Sequence, residues 1–195
     1  MKVDQRDQLL LKIKEEVVNL KSSPLYKLRI ENKVFPVIGE GSHIAKIMFV
    51  GEAPGKNEAA TGRPFCGAAG RILDQMIESI GLARKDVYIT NIVKDRPPEN
   101  RDPMPKEIEI YGPFLDRQIE ILAPQVIVPL GRFSMGYIMK KFGLESELKS
   151  ISLMHGKVFS AGDKKIVPMY HPAVALYQNS LKEQLFKDFQ ILKNF

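Results

Sequence analysis

The sequence has very little cysteine and lacks long apolar runs. Its single cysteine, Cys66, excludes a disulfide within the chain and any cluster held by several thiolates of one chain. No hydrophobic stretch is long enough to span a bilayer, and the opening segment MKVDQRDQLLLKIKEE has acidic residues where a signal peptide has an apolar core. We therefore expect a soluble, cytoplasmic protein with no membrane partner.

Two familiar ligand-binding patterns are also missing. The glycine-rich segment GEAPGKNEAATGRPFCGAAG (51–70) lacks the spacing and the lysine–Ser/Thr pair of a phosphate-binding P-loop, and it contains no G-x-G-x-x-G. The three histidines and one cysteine are too scattered for a zinc site of the usual spacing. The sequence thus predicts neither a nucleotide-binding loop nor a metal site.

The composition is that of an ordinary globular domain. The 195 residues are 44% hydrophobic and 27% charged, so we expect a single domain over 1–195 with a sizeable core. The net charge of +6 and the pI of about 9.3 favour a polyanionic partner, although many basic proteins bind no nucleic acid.

Apolar strands alternate with helical patterns along the chain. The predicted strands are 47–50, 87–93, 126–131 and 164–172, and the predicted helices are 5–21, 69–80, 105–122, 132–142 and 180–195. This alternation predicts a three-layer α/β/α sandwich around a central, mostly parallel four-stranded sheet. Functional loops of such sheets follow the carboxyl ends of the strands, which here are GEAPG, NIVKDRPP and HPAVALY.

Each of these loops carries residues with two interpretations. The glycine-lined loop of 51–70 is either a tight strand-to-helix turn or a site where Phe65 stacks on a flat ring. Asn91 either closes an Asx turn or presents its carboxamide, whose donors and acceptor match N3–H and O4 of uracil but not cytosine. His171, before a proline, is either an ordinary surface or core residue or part of a site.

The three loops together resemble the uracil-DNA glycosylase superfamily, and within it the group called family 4. GEAPG with a following glutamate and GRPF resembles the first motif of that family, TNIVK-RPP its second region, and HP-x-x-x-L its third. Order and spacing agree, and the resemblance runs from about residue 17 to the C-terminus. It implies a DNA-repair enzyme that flips uracil out of DNA and hydrolyses the N-glycosidic bond.

The resemblance also implies roles for single residues. Phe65 would stack on the flipped base, Asn91 would read its Watson–Crick edge, and His171 would stabilise the charge that develops on uracil. Glu58 would either place the water or exclude the 5-methyl group of thymine, and the sequence leaves both roles open. The implied catalytic residues are His171, Glu58 and Asn91, and the implied uracil-binding residues are Gly51, Glu52, Ala53, Phe65, Asn91 and His171.

Contacts with DNA are expected from residues near the same loops. The implied set consists of three basic residues for the phosphates and three residues after His171 for the duplex: Lys94, Arg96, Arg101, Val174, Leu176 and Tyr177. Uracil-containing DNA is the expected partner, and a monomer is the expected state.

One departure from family 4 concerns a cofactor. Members of that family typically hold a [4Fe–4S] cluster with four cysteines, and the corresponding residues here are Leu20, Ser23, Asp95 and Tyr111. These residues cannot replace thiolates, so we expect no iron–sulfur cluster and no other cofactor. We expect packing and hydrogen bonds to hold the surrounding segments, with Asp95 paired to a nearby basic residue.

Two rival functions remain compatible with the sequence. One is a glycosylase for another deaminated base, such as hypoxanthine or xanthine. The other is a relative that binds DNA without catalysis, a hypothesis that the lost cysteines make worth testing.

Overall fold

The computed structural model describes residues 3–195; Met1 and Lys2, the start of the expected domain and of the opening segment, lie outside the described residues. Within that range the helices are α1 (Val3–Val18), α2 (Tyr26–Glu31), α3 (Lys56–Thr61), α4 (Ala68–Ser79), α5 (Pro105–Leu122), α6 (Arg132–Lys141), α7 (Ile151–Met154) and α8 (Asn179–Phe189). The strands are β1 (Glu40–Gly41), β2 (Ile47–Gly51), β3 (Tyr88–Asn91), β4 (Val126–Pro129), β5 (Phe159–Ala161) and β6 (Lys164–Ile166).

The strands form one sheet in the order β1-β3-β2-β4-β6-β5. The four central strands are parallel, as the alternation of strands and helices predicts, and Gly51 of β2 lies beside Asn91 of β3. Two short antiparallel strands, β1 and β5, extend the edges of the predicted four-stranded sheet. They contain only two and three residues, too few for a periodic pattern in the sequence.

Apolar side chains of the sheet alternate between two cores. Met48 and Val50 of β2 face a core shared with α1, α5 and α6, whereas Ile47 and Phe49 face a core shared with α4 and α8. Because successive strand residues point to opposite faces, a fully apolar strand supplies both cores at once. The predicted three-layer α/β/α fold is confirmed.

Several element boundaries differ from the sequence prediction. The predicted strand 164–172 pairs regularly only over Lys164–Ile166, followed by an isolated bridge between Met169 and Leu130. The last predicted helix, 180–195, is α8 followed by a 3₁₀ turn over Gln190–Asn194. No helix in residues 3–195 combines the length and apolar character needed to cross a membrane.

Candidate functional site

A cleft of about 540 Å³ opens where the parallel strands end. Loops that follow β2, β3 and β6 meet there because the carboxyl ends of parallel strands lie at one edge of the sheet. The cleft is lined by Glu52, Ala53, Gly55, Glu58, Phe65, Ala69, Asn91, Asn100, Asp102, His171, Ala173 and Tyr177. The sequence-predicted candidates Glu52, Ala53, Glu58, Phe65, Asn91 and His171 therefore share one cavity.

Gly51 lies directly against two of the predicted pocket residues. A Cβ atom at Gly51 would lie 2.2 Å from Asn91 Oδ1 and 2.7 Å from the Phe65 ring. Only a residue without a side chain fits between them. Within the described part of the chain the Asn91 carboxamide forms no hydrogen bond, so its donors and acceptor are free for a ligand.

The backbone holds Phe65 in an unusual conformation beside the cleft. Its φ of +46° is left-handed, a region that a bulky side chain rarely occupies. The Phe65 carbonyl packs against Gly70, where a Cβ would approach it to 1.8 Å, and accepts a hydrogen bond from Arg84 at 3.3 Å. These contacts fix a buried ring that faces His171, with the ring centroids 5.5 Å apart.

Glu58 connects the glycine-rich loop to α4. Its Oε1 accepts hydrogen bonds from the backbone N–H groups of Cys66 and Gly67, both at 2.9 Å. Gly67 is the N-terminal cap of α4, where a negative charge is favourable. One carboxylate oxygen of Glu58 thus has a structural role in holding the loop that carries Phe65.

His171 is held in one tautomer by the backbone. Its Nδ1 accepts a hydrogen bond from the Ala173 N–H at 3.2 Å, so in the neutral ring the proton lies on Nε2. Burial lowers the pKa of His171 to about 4, against the opposing influence of Glu58. At neutral pH the imidazole is therefore uncharged and has one N–H to donate.

Two further acids and one asparagine complete the cleft. Burial and the nearby Asp102 raise the pKa of Glu52 to about 7, although Arg132 acts in the opposite direction. No hydrogen bond of the Glu52 carboxyl occurs among the described residues.

Asn100, which sequence reasoning missed, has a left-handed φ of +55° and accepts a hydrogen bond from Arg96 at 2.7 Å. Its place in a proline-rich loop gave no signal except that asparagine tolerates this conformation.

The prediction that Lys94 holds phosphates is wrong. Its side chain is fully buried, and its ammonium donates to Thr90 Oγ1 (2.9 Å), the Asn91 carbonyl (2.6 Å) and Gln118 Oε1 (2.6 Å). Burial lowers the pKa of Lys94 to about 7, whereas three acceptors favour its charged form. The polar, proline-rich sequence KDRPPENRDPMP is typical of an exposed loop, but its first two residues, Lys94 and Asp95, are buried.

The other residues that are expected to contact DNA differ in how far their side chains are exposed. Leu176 and Tyr177 are 43% and 85% exposed, and Tyr177 lines the cleft. Val174 is partly buried against the core on the α4–α8 side, so its expected insertion into the duplex stays a prediction. Arg96 is half-buried near Asn100, and the Arg101 guanidinium contacts both oxygens of Glu107 (2.9 and 2.6 Å).

Comparison with known families agrees with this geometry. A family model described as the uracil DNA glycosylase superfamily matches residues 38–191, a range that contains the whole cleft. The chain belongs to the uracil-DNA glycosylase superfamily. Its fold is therefore the one that the three loop motifs imply.

Several relatives share most of the chain. A type-4 uracil-DNA glycosylase of Sulfurisphaera tokodaii is 50% identical over 94% of this chain and 83% of that protein. Proteins of the same description from Archaeoglobus fulgidus and Thermotoga maritima are 46% and 38% identical. The matches cover 91% and 97% of this chain and 88% and 96% of those proteins.

The residues at the family 4 cluster positions do not fit an iron–sulfur cluster. The Tyr111 hydroxyl donates to Asp95 Oδ2 at 2.6 Å and lies 2.7 Å from Ser23 Oγ. Asp95 Oδ1 lies 3.3 Å from Arg29 Nε, and the Arg29 guanidinium also donates to the Val18 carbonyl at 2.7 Å, at the end of α1. We call Ser23, Arg29, Asp95 and Tyr111 the buried network.

The buried network leaves neither thiolates nor space for a cluster. Each of its four side chains is at most 4% exposed, and Leu20 packs beside them against the first core. The expected ion pair of Asp95 with a basic residue is confirmed, its partner being Arg29. No three His, Cys, Asp or Glu side chains in residues 3–195 are placed so that they could hold a metal ion together.

Proposed function

We propose that this protein hydrolyses the N-glycosidic bond of uracil in DNA, releasing free uracil and leaving an abasic site. The observation that carries this proposal is the meeting of Phe65, Asn91 and His171 around one cleft at the carboxyl edge of the sheet. A flat ring, a free carboxamide and a neutral imidazole are the groups needed to stack on a pyrimidine, read its edge and bind its oxygen. The type-4 glycosylase relatives support the same conclusion.

In our proposal the base enters the cleft after extrusion from the DNA. It stacks on Phe65, while the Asn91 carboxamide accepts from N3–H and donates to O4. Gly51 allows Asn91 and Phe65 to approach each other, and the backbone at Glu52 and Ala53 lies beside the base. Cytosine presents a donor and an acceptor in the reverse order and is mispaired with this orientation of the Asn91 carboxamide, which gives the discrimination as long as the bound state keeps that orientation.

His171 then stabilises the leaving group. As the bond between C1′ and N1 breaks, its electron pair moves to the uracil ring, and negative charge develops on N1 and O2. The Nε2–H of neutral His171 donates to that oxygen. Hydrogen-bond donors that are fixed before the reaction and directed at developing charge are worth about 10²–10³-fold in rate.

Water completes the hydrolysis by attacking C1′ and losing one proton. Glu58 is one candidate to place it, but its Oε1 already holds the Phe65 loop. Glu52 fits the acceptor role better, because its carboxyl lines the cleft, forms no hydrogen bond among the described residues and has a pKa of about 7. We therefore assign the water to Glu52 and the structural support of the loop to Glu58.

Around the cleft, the proposed DNA contacts are Arg96 and Arg101 for phosphates and Leu176 and Tyr177 for the space left by the flipped base. We propose that the chain forms a single domain and acts as a monomer, which a cleft lined by residues of one chain supports. A DNA substrate implies an intracellular location. The buried network supports activity without an iron–sulfur cluster or any other cofactor.

The test is cleavage of a labelled oligonucleotide with one uracil opposite guanine, and of its single-stranded form, followed by alkali. Thymine, hypoxanthine and xanthine substrates run beside it, and Asn91→Ala and His171→Ala serve as variants. We expect cleavage at uracil alone, reduced about 10²–10³-fold in the variants. Cleavage at hypoxanthine or xanthine only would overturn the specificity, and DNA binding without cleavage would favour a non-catalytic role.

A further inference from the structure

The cleft has an unusual charge balance for a reaction that releases an anion. Three carboxyl groups line it, from Glu52, Glu58 and Asp102, whereas no lysine or arginine is among its lining residues. His171 is neutral at the pH where DNA repair operates. Negative charge that develops on uracil is therefore opposed by the nearby acids, and a positive charge behind the wall of the cleft would offset this repulsion.

Lys94 lies behind the wall that reads the base. Its ammonium contacts the backbone carbonyl of Asn91 at 2.6 Å, and Lys94 is not among the residues that line the cleft. Lys94 is fully buried, and no carboxylate within the described range lies within ion-pair distance of it. The other buried cation, Arg29, is paired with Asp95.

We propose that Lys94 is a positioning residue that fixes the base-reading end of β3 and whose ammonium charge stabilises the uracil anion as the glycosidic bond breaks. The proposal rests on the uracil-DNA glycosylase function argued above. In low-dielectric surroundings a fixed charge acts over several ångströms, so Lys94 needs no contact with the substrate.

The hydrogen bonds of Lys94 indicate a charged amine. An ammonium has three N–H donors, and the structure supplies three acceptors on Thr90, Asn91 and Gln118. A neutral amine donates only twice and would direct its lone pair at one of these oxygens. The acceptors are themselves fixed, because Thr90 Oγ1 and Gln118 Nε2 both donate to the Ile38 carbonyl, at 2.7 and 2.9 Å.

Lys94→Met tests the proposal because methionine has a similar length without charge. We expect kcat on uracil to fall about 10–30-fold, with an unchanged KM for the oligonucleotide, since a distant charge acts on the transition state. We also expect an effect of the leaving group. 5-Fluorouracil forms a more stable anion than uracil, so Lys94→Met should lose less rate on fluorouracil, and the fluorouracil-to-uracil rate ratio should rise.

A buried neighbour provides the matched control. Val93→Ala removes apolar contacts next to Lys94 without changing charge, so it should lower stability and leave the fluorouracil-to-uracil ratio at the wild-type value. If Lys94→Met keeps its kcat within twofold, the proposal is wrong. If the variant slows both substrates by the same factor, as a purely structural defect would, the electrostatic role is overturned.

Gln118→Glu keeps the proposal testable if Lys94→Met does not fold. It retains the lysine and places a carboxylate against the ammonium, while Thr90 still donates to the Ile38 carbonyl. Because the new carboxylate neutralises the charge of the Lys94 ammonium, kcat on uracil should fall and the fluorouracil-to-uracil rate ratio should rise. An unchanged ratio would contradict the proposal. Uracil cleavage by the wild-type protein tests the glycosylase function separately, so the two failures are distinguishable.

Discussion

The cleft and the buried network flank one short segment, and they differ in how their polar groups are paired. Asn91, at the end of β3, faces the cleft with a carboxamide that forms no hydrogen bond among the described residues. Four residues later, Asp95 is enclosed by Tyr111 and Arg29 with 1% exposure. One site keeps space and unpaired polar groups for a ligand, whereas the other fills its space and pairs its opposite charges internally.

The cleft and the buried network place different constraints on the sequence. The geometry of the cleft depends on positions without side chains, such as Gly51 and Gly70, and on the strained backbone of Phe65. The stability of the buried network depends on complementary side chains, because a charge buried without a partner costs free energy of folding. Substitutions in the cleft should therefore affect catalysis more than folding, and substitutions in the network should do the reverse.

The largest expected effect is on the network, from Arg29→Met. The change leaves the Asp95 carboxylate buried without its ion pair and removes the hydrogen bonds of Arg29 to the end of α1. We expect a loss of about 3–5 kcal/mol in the free energy of unfolding, measured by urea denaturation. Lys27→Met, which breaks only an exposed ion pair on the same helix, is the control and should cost little.

Glu52→Gln should give the next largest effect, this time on catalysis. A carboxylate accepts a proton only when ionised, so the wild-type single-turnover rate should rise with pH up to about 7 and then level off. His171, with a pKa of about 4, stays neutral across this range. The variant should lose about 10²-fold in rate and this pH dependence together; a variant that keeps the rise would assign it to another group.

Tyr111→Phe should reduce the stability of the buried network less than Arg29→Met does. Loss of the hydroxyl removes the hydrogen bond to Asp95 and the contact with Ser23, at an expected cost of about 1–2 kcal/mol in stability. Cleavage of uracil at 25 °C should stay within about twofold of wild type, because the cleft is not touched. A large loss of activity without loss of stability would contradict the separation of the two sites.

The sequence predicts the sheet and most of the cleft for physical reasons that do not extend to the network. Strands such as IMFV are apolar on both faces, which predicts central parallel strands, and residues that follow them must meet at one edge. Lys94 and Asp95, in contrast, stand in a polar, proline-rich stretch that resembles an exposed loop. Their burial depends on Gln118 and Arg29, which are distant in sequence, so no local pattern reveals it.

The smallest expected effect comes from the rim of the cleft, at Tyr177. Its side chain is 85% exposed, so Tyr177→Ala should leave the free energy of unfolding unchanged, unlike any substitution in the network. If Tyr177 occupies the space of the flipped base, the variant should cleave uracil in duplex DNA a few-fold more slowly. Single-stranded uracil needs no extrusion from a base pair and should be cleaved at the wild-type rate. Equal slowing on both substrates would instead place Tyr177 in contact with the base or its phosphates, because the defect would then no longer depend on opening the duplex.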